Sequence, residues 1–268
     1  MDNSVSTIML VLIVIAVIFS GAFAAPSLKI TGGQDAERNE FTYQVSLQWG
    51  LLGFWQHVCG GSIISEQLVV TAGHCITEIP AIGSFRIKAG LLNLNDNFDS
   101  VQTISVASIV VHEEYEGGVN PNDIALLKLS FPLSWSDSVQ SIDLPPAGTV
   151  PVGNAILSGW GSISTTLFPI VPDTLQKAEL PLLDLYVCSL ALTSLFGTSE
   201  PLALTNICTG PLRGGISACS GDSGGPLAKD GQLIGIVSWG VTPCGSVGAP
   251  SVYTRVSSFA DWISANSF

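Results

Sequence analysis

The sequence predicts an all-β protein, a sandwich or barrel, with a short C-terminal helix. Three observations carry that prediction. From Phe41 onward short apolar runs recur, either alternating or continuous, with Gly, Pro, Asn and Asp between them. The chain holds 28 Gly and 15 Pro, enough turn formers for many short strands. Between residues 30 and 255 no segment keeps a helical period with good caps.

The runs, in order, are 44–49, 68–71, 105–111, 124–129 and 233–239. Pro145-Pro146-Ala147-Gly148 interrupts the series near its middle and reads as a connector between two β halves. The last dozen residues change period. Phe259, Trp262 and Ile263 fall at i, i+3 and i+4, and Ser258-x-x-Asp261 has the spacing of a capping box. They predict a helix docking one apolar face.

Composition narrows the class. The 268 residues suffice for one large domain or two modest ones. Hydrophobic residues make up 47% and charged residues 11%, against about 25% charged in an average globular chain. A disordered polypeptide and a charged coiled coil are both excluded. The net charge of −12 argues against nucleic acid and anionic lipid surfaces, which need a basic footprint. The acidic residues are scattered, so they act as a solubility and field effect.

The amino terminus carries an unbroken apolar run from Ile8 to Phe19, followed by Ala22-x-Ala24. Twelve apolar residues suit a cleaved signal peptide, whereas a spanning helix needs about 20. The stretch before the run departs from the usual pattern, with Asp2 and no Lys or Arg. Cleavage after Ala24 implies a secreted protein. Residues 1–29 contain one acid and one base, so the acidity belongs to the mature chain. Six cysteines at 59, 75, 188, 208, 219 and 244 show no C-x-x-C spacing. In a secreted chain an even count suggests disulfides, with 15 connectivities open.

Three local motifs carry chemistry: Thr71-Ala72-Gly73-His74-Cys75, Asn120-Pro121-Asn122-Asp123, and Gly221-Asp222-Ser223-Gly224-Gly225-Pro226. Alone, each has a plainer reading as a packed histidine, a turn and a glycine loop. Together, a His, an Asp and a Ser match the needs of nucleophilic catalysis. A serine hydroxyl needs an adjacent base, and the imidazole that serves needs a carboxylate to orient it. Glycines at the serine allow a tight turn, and the Gly221 and Ser223 amides are candidate donors to a developing oxyanion. Gly221-x-Ser223-x-Gly225 also has the spacing of a lipase elbow, but there the order is Ser, Asp, His.

With these motifs the chain resembles the trypsin/chymotrypsin family of serine endopeptidases from residue 30 to the C-terminus. Further matching runs are Ile30-Thr31-Gly32-Gly33, Cys59-Gly60-Gly61-Ser62, Leu157-Ser158-Gly159-Trp160-Gly161, Ser238-Trp239-Gly240 and Val252-Tyr253-Thr254-Arg255-Val256. The short propeptide, six paired cysteines and acidity resemble secreted digestive chymotrypsins of arthropods.

The resemblance implies two antiparallel six-stranded β-barrels with the site in the cleft between them. It implies residues 1–24 as signal, 25–29 as activation propeptide and 30–268 as peptidase domain. Within that domain the barrels are about 30–144 and 145–256, and the C-terminal helix 257–268. His74 is implied as general base and then acid, Asp123 as its orienter and Ser223 as nucleophile, with Gly221 and Ser223 amides as the oxyanion hole. Ser238, Trp239 and Gly240 are implied as the strand that pairs with substrate. The pairings implied are Cys59–Cys75, Cys188–Cys208 and Cys219–Cys244.

Activation is implied at Lys29–Ile30, with the new Ile30 ammonium pairing with Asp222. At the base of the primary pocket stands Ser217, which is neutral, so a chymotrypsin-like preference for Phe, Tyr, Leu or Met is implied. Gly240 leaves one wall open, and Ser251 stands where its side chain would narrow the other. The alternatives are an elastase-like preference for small aliphatic residues and a non-catalytic homologue acting by binding. His57 is implied as a neighbour of the activation region. His112-Glu113-Glu114 reads as a solvated run, not a metal site. Some relatives bind calcium after the strand at Ile87-Lys88-Ala89-Gly90, but Leu91 stands where an acidic ligand is expected. No cofactor or metal is implied. The implied partners are protein or peptide substrates, an activating trypsin-like protease and protein inhibitors, with the enzyme itself a monomer.

Overall fold

The computed structural model describes residues 32–267. The proposed signal, the propeptide and the Lys29–Ile30 junction lie outside the described residues. The chain opens with a two-residue strand, β1 (Gln34–Asp35). Six strands follow: β2 (Gln44–Leu51), β3 (Phe54–Ser65), β4 (Leu68–Thr71), β5 (Ser84–Ala89), β6 (Gln102–Val111) and β7 (Ala125–Leu129). A one-turn helix, α1 (His74–Thr77), leaves the end of β4. The six strands close into an antiparallel barrel in the order β2-β3-β4-β7-β6-β5.

After the Pro145–Gly148 connector come β8 (Asn154–Gly159), β9 (Gln176–Leu183), β10 (Asn206–Thr209), β11 (Pro226–Lys229), β12 (Gln232–Gly240) and β13 (Ser251–Arg255). Their order is β9-β10-β13-β12-β11-β8, and the β8–β9 pairing closes this second barrel. The choice between sandwich and barrel is thus settled as two closed six-stranded barrels. Closure leaves no exposed sheet edge in either. β1 pairs with β9, with Gln34 opposite Lys177. The segment before Phe41, which sequence order placed with the first barrel, therefore joins the second.

Hydrophobic burial holds each barrel closed. Val45, Leu47, Ile63, Val69, Ile87 and Leu127 fill the first and Leu157, Leu180, Leu227 and Tyr253 the second. Fully burying one such aliphatic side chain is worth roughly 1.5–3 kcal/mol. The first core extends into Leu233 and Ile236 of the second barrel and into Phe259 and Ile263. The two barrels are one packed body.

All three pairings take form, Cys59–Cys75, Cys188–Cys208 and Cys219–Cys244. Two helical expectations need correction. A twelve-residue helix, α2 (Leu185–Phe196), stands where no helix was expected. Its sequence is apolar almost all round, so no polar face marked a helical period. Its caps are nonetheless good: Asp184 accepts from the Tyr186 N–H, and Gly197 ends it at φ 78°. The C-terminal helix, α3 (Ala260–Asn266), buries Phe259 and Ile263 as expected, but Ser258 does not cap it. The chain enters through a 3-10 turn, Val256–Ser258, and the Ser258 hydroxyl accepts from Arg255 Nε at 2.7 Å. His112 packs on the rings of Phe259 and Trp262, and Glu113 accepts from the Trp262 indole N–H. That run fastens α3 to the first barrel. No described helix is long and apolar enough to cross a membrane.

Candidate active site

The end of β4 delivers His74 to the cleft through Thr71-Ala72-Gly73. His74 opens α1, so its backbone N–H is one of the unsatisfied donors of a helix start. Asp123, 49 residues on, satisfies it: Oδ1 accepts from His74 N at 2.8 Å, and Oδ2 pairs with His74 Nδ1 at 2.8 Å. One carboxylate fixes both the position and the ring of the histidine. With Nδ1–H donating, Nε2 is left as the ring's acceptor.

Asp123 is buried and belongs to the first barrel, yet the second barrel grips it. The Ser238 hydroxyl of β12 donates to Oδ2 at 2.6 Å, and the Thr254 hydroxyl of β13 donates to the Asp123 carbonyl at 2.8 Å. Burial pushes the His74 pKa down; the hydrogen bond and charge of Asp123 and the charge of Glu78 push it up and prevail.

The second barrel supplies Ser223 in a tight loop before β11. Gly221 takes φ +100°, which a side chain would resist. The Ser220 carbonyl accepts from Ser162 N, and the Asp222 carbonyl accepts from Gly225 N, each at 2.8 Å. A trans peptide points its N–H opposite its carbonyl. The Gly221 and Ser223 amides therefore face away from those partners. No intramolecular acceptor engages either among the described residues. The Ser223 carbonyl accepts from Gly60 N at 2.8 Å, tying the loop to the first barrel. No hydrogen bond joins Ser223 Oγ to His74 among the described residues. Such bonds are often long in an unliganded site and tighten around substrate.

His57 holds the same loop from beneath. Its Nε2 donates to the Gly221 carbonyl at 3.2 Å, and its Nδ1 accepts from the Ser46 hydroxyl at 2.8 Å. Burial lowers its pKa, and the Gly221 carbonyl only partly opposes that. Its two hydrogen bonds give it a structural role in holding the loop. Asp222 is fully buried, accepting from Gly161 N at 2.8 Å and Cys219 N at 2.9 Å. Burial raises its pKa from 3.8 to about 6, against those two hydrogen bonds. Gly32 lies against Gly215 and Ile216, just before Ser217.

Beside Ser223 opens a cleft of about 210 Å³ lined by Ala218, Cys219, Ser220, Ser238, Trp239 and Gly240, with Val241, Thr242 and Cys244. No charged side chain lines it. A Cβ on Gly240 would meet nothing within 4 Å, so that wall is open. Ser217 and Ser251 are not among the residues lining this cleft; both are buried. Ser217 Oγ accepts from Gly245 N at 2.8 Å, and Ser251 Oγ accepts from Ala218 N at 3.2 Å. Both serines, expected at the pocket, are thus engaged by backbone amides of residues that line or flank the cleft.

Thr254, Val241 and Thr242 were not picked out from sequence. A threonine among inward-facing residues of a buried strand was the available signal for Thr254. Cys59, His74 and Cys75 bring metal-type atoms together, but both sulfurs are spent in a disulfide. In the loop after β5, Lys88 Nζ donates to the Asp96 carbonyl at 2.7 Å, and the Asp96 carboxylate accepts from Leu92 N and Asn93 N.

Comparison with known proteins identifies the family. The family model described as Trypsin matches residues 30–263. Trypsin-1 of Astacus astacus is 42% identical over 243 residues, covering 88% of this chain and 99% of the relative. Trypsin I-P1 of Gallus gallus is 38% identical over 237 residues, 88% of each. Trypsin-3 of Salmo salar is 36% identical over 253 residues, 92% of this chain and 98% of the relative. By its fold, its disulfides and these relatives, the chain belongs to the trypsin/chymotrypsin family of serine endopeptidases.

Proposed function

We propose that the protein is secreted as a zymogen, is activated by cleavage at Lys29–Ile30, and cuts protein chains after large apolar residues. His74, Asp123 and Ser223 carry the chemistry. The Ser223 hydroxyl attacks the scissile carbonyl while its proton passes to His74 Nε2. The carbonyl oxygen becomes an oxyanion and receives hydrogen bonds from the Gly221 and Ser223 amides. Such donors are each worth about a hundred- to thousandfold in rate. Asp123 keeps Nδ1 protonated and stabilises the imidazolium. His74 then gives its proton to the leaving amine, the C–N bond breaks, and an acyl-Ser223 ester remains. Water enters, loses a proton to His74 and attacks the ester. The acid departs as Ser223 regains its proton. The substrate backbone lies along Ser238-Trp239-Gly240 as an added strand.

The specificity reading rests on one observation: no acidic side chain lines the cleft, and Ser217, next to its lining residue Ala218, is neutral. The relatives are named trypsins, and trypsin holds a cationic side chain with an aspartate in its pocket. Here a guanidinium would be desolvated without a counterion. The open Gly240 wall admits a large ring, which argues against the elastase-like alternative. The test is kcat/KM for matched peptides ending in Phe, Leu, Ala and Arg before the scissile bond. Phe or Leu should lead. Arg leading would overturn the reading, and Ala leading would replace it with the elastase-like one.

A further inference from the structure

We propose that a cavity bordered by β9, β10 and β13 of the second barrel binds a medium-chain fatty acid, its carboxylate on Arg255 and its alkyl chain among valine, leucine and isoleucine side chains.

The cavity measures about 190 Å³. Its apolar lining comes from Val150, Val152, Leu182, Leu183, Leu185 and Ile207. At about 30 Å³ for a water-sized group, it holds about six methylene-sized groups. Val150 and Val152 flank Pro151 in the connector before β8 and are 64% and 73% exposed. Neither joins an apolar cluster of the fold among the described residues. Packing within the chain therefore does not account for two valines set beside an apolar cavity.

The charge at the cavity selects the head group. Arg255 is the one cation that lines it. Acidic residues outnumber basic ones 21 to 9 in this chain, yet among the described residues no carboxylate pairs with Arg255. Its Nε donates to the Ser258 hydroxyl at 2.7 Å, and its two terminal nitrogens make no hydrogen bond there. Those nitrogens form the fork that matches the two oxygens of a carboxylate. Asp184 also lines the cavity, but it is exposed, and its Oδ1 already accepts from Tyr186 N. The preceding residue, Thr254, donates to the Asp123 carbonyl. Successive strand side chains point to opposite faces, so Arg255 is turned away from the catalytic groups.

One cation and an otherwise apolar lining fit a single negative charge with an unbranched hydrocarbon tail. A peptide carboxylate also carries amides, which valine and leucine walls would strip of water without replacing its hydrogen bonds.

The test is calorimetric titration of the protein with butanoate, hexanoate, octanoate and decanoate, with octanamide and N-acetyl-leucine alongside. From butanoate to octanoate each methylene should tighten Kd about fourfold, and the gain should level off near octanoate as the cavity fills. Octanoate should bind about tenfold more tightly than octanamide and than N-acetyl-leucine. Arg255→Gln should remove the preference for octanoate over octanamide. That variant also loses the bond to Ser258, so Val152→Trp tests the cavity separately. Val152 is exposed, and the larger ring should block the alkyl chain and abolish the gain with chain length without touching the core. The proposal is overturned if octanoate shows no saturable binding, if octanamide equals it in wild type, if N-acetyl-leucine binds more tightly, or if both variants keep wild-type affinity.

Discussion

Asp123 places two oxygens against three donors, His74 N, His74 Nδ1 and the Ser238 hydroxyl, and has no cation of its own beside it until His74 is protonated. That raises the His74 pKa, so the neutral base is lost on acidification from a pH above the ordinary 6.5. Activity should therefore rise along a limb lying above that value. Glu78 adds to the same shift through solvent, so Glu78→Gln should move the limb down the pH scale, and less so in high salt. Asp123→Asn should instead cost about ten-thousandfold in kcat, because the amide favours the wrong tautomer. The pH profiles of kcat/KM for the three proteins decide this; an unmoved limb in Glu78→Gln would refute the Glu78 contribution. His74, Asp123 and Ser223 were legible because each sits in a short run whose chemistry is local. Thr254 and Ser46 were not, because a hydroxyl gains meaning only from a partner 131 or 11 residues away.

Strands were legible where alternation or a continuous apolar run met a turn former, as at β4 and β12, because burial on one or both faces writes its period into the sequence. α2 shows where that signal fails. Only Cys188 and Leu192, one turn apart, are buried, while Tyr186, Leu190 and Phe196 are exposed and equally apolar. With no polar face there is no moment to read. What holds the helix is a disulfide at Cys188, Leu192 packed on Val252, and its two caps. Asp184→Ala removes the oxygen that accepts Tyr186 N at 2.8 Å. It should lower stability by about 1 kcal/mol. In a chain of this size that is about 2–4 °C in Tm. Calorimetry of the variant checks it, and an unchanged Tm would show that the disulfide alone sets the helix.

Beside their shared apolar core, the barrels are joined by polar contacts that only the assembled molecule contains, among them Gly60 N to the Ser223 carbonyl, Ser158 to Gln44, and the two hydroxyls on Asp123. Asp222, in the second barrel beside Ser223, accepts from Gly161 N and Cys219 N. It is fully buried, and its two amide donors do not hold its pKa at the ordinary 3.8; burial raises it to about 6. Between those values the folded chain binds a proton that the unfolded chain does not, so stability declines as pH rises through that window. Above about pH 6 the buried carboxylate is ionised, which costs stability unless a cation answers it. A new ammonium at Ile30 is the proposed counterion. Gly32, two residues on, lies against Gly215 and Ile216, in the segment that leads to Ser223. Pairing would also raise the ammonium's own pKa above its free value of about 8, keeping it charged through neutral pH. Cleavage at Lys29–Ile30 should therefore raise Tm more at pH 8 than at pH 5, where Asp222 holds its own proton. Lys29→Gln should withhold both the activity and the Tm gain after trypsin treatment. Calorimetry of cleaved and uncleaved protein at the two pH values decides the matter: an equal gain at both would show that the Ile30 ammonium does not answer the charge on Asp222.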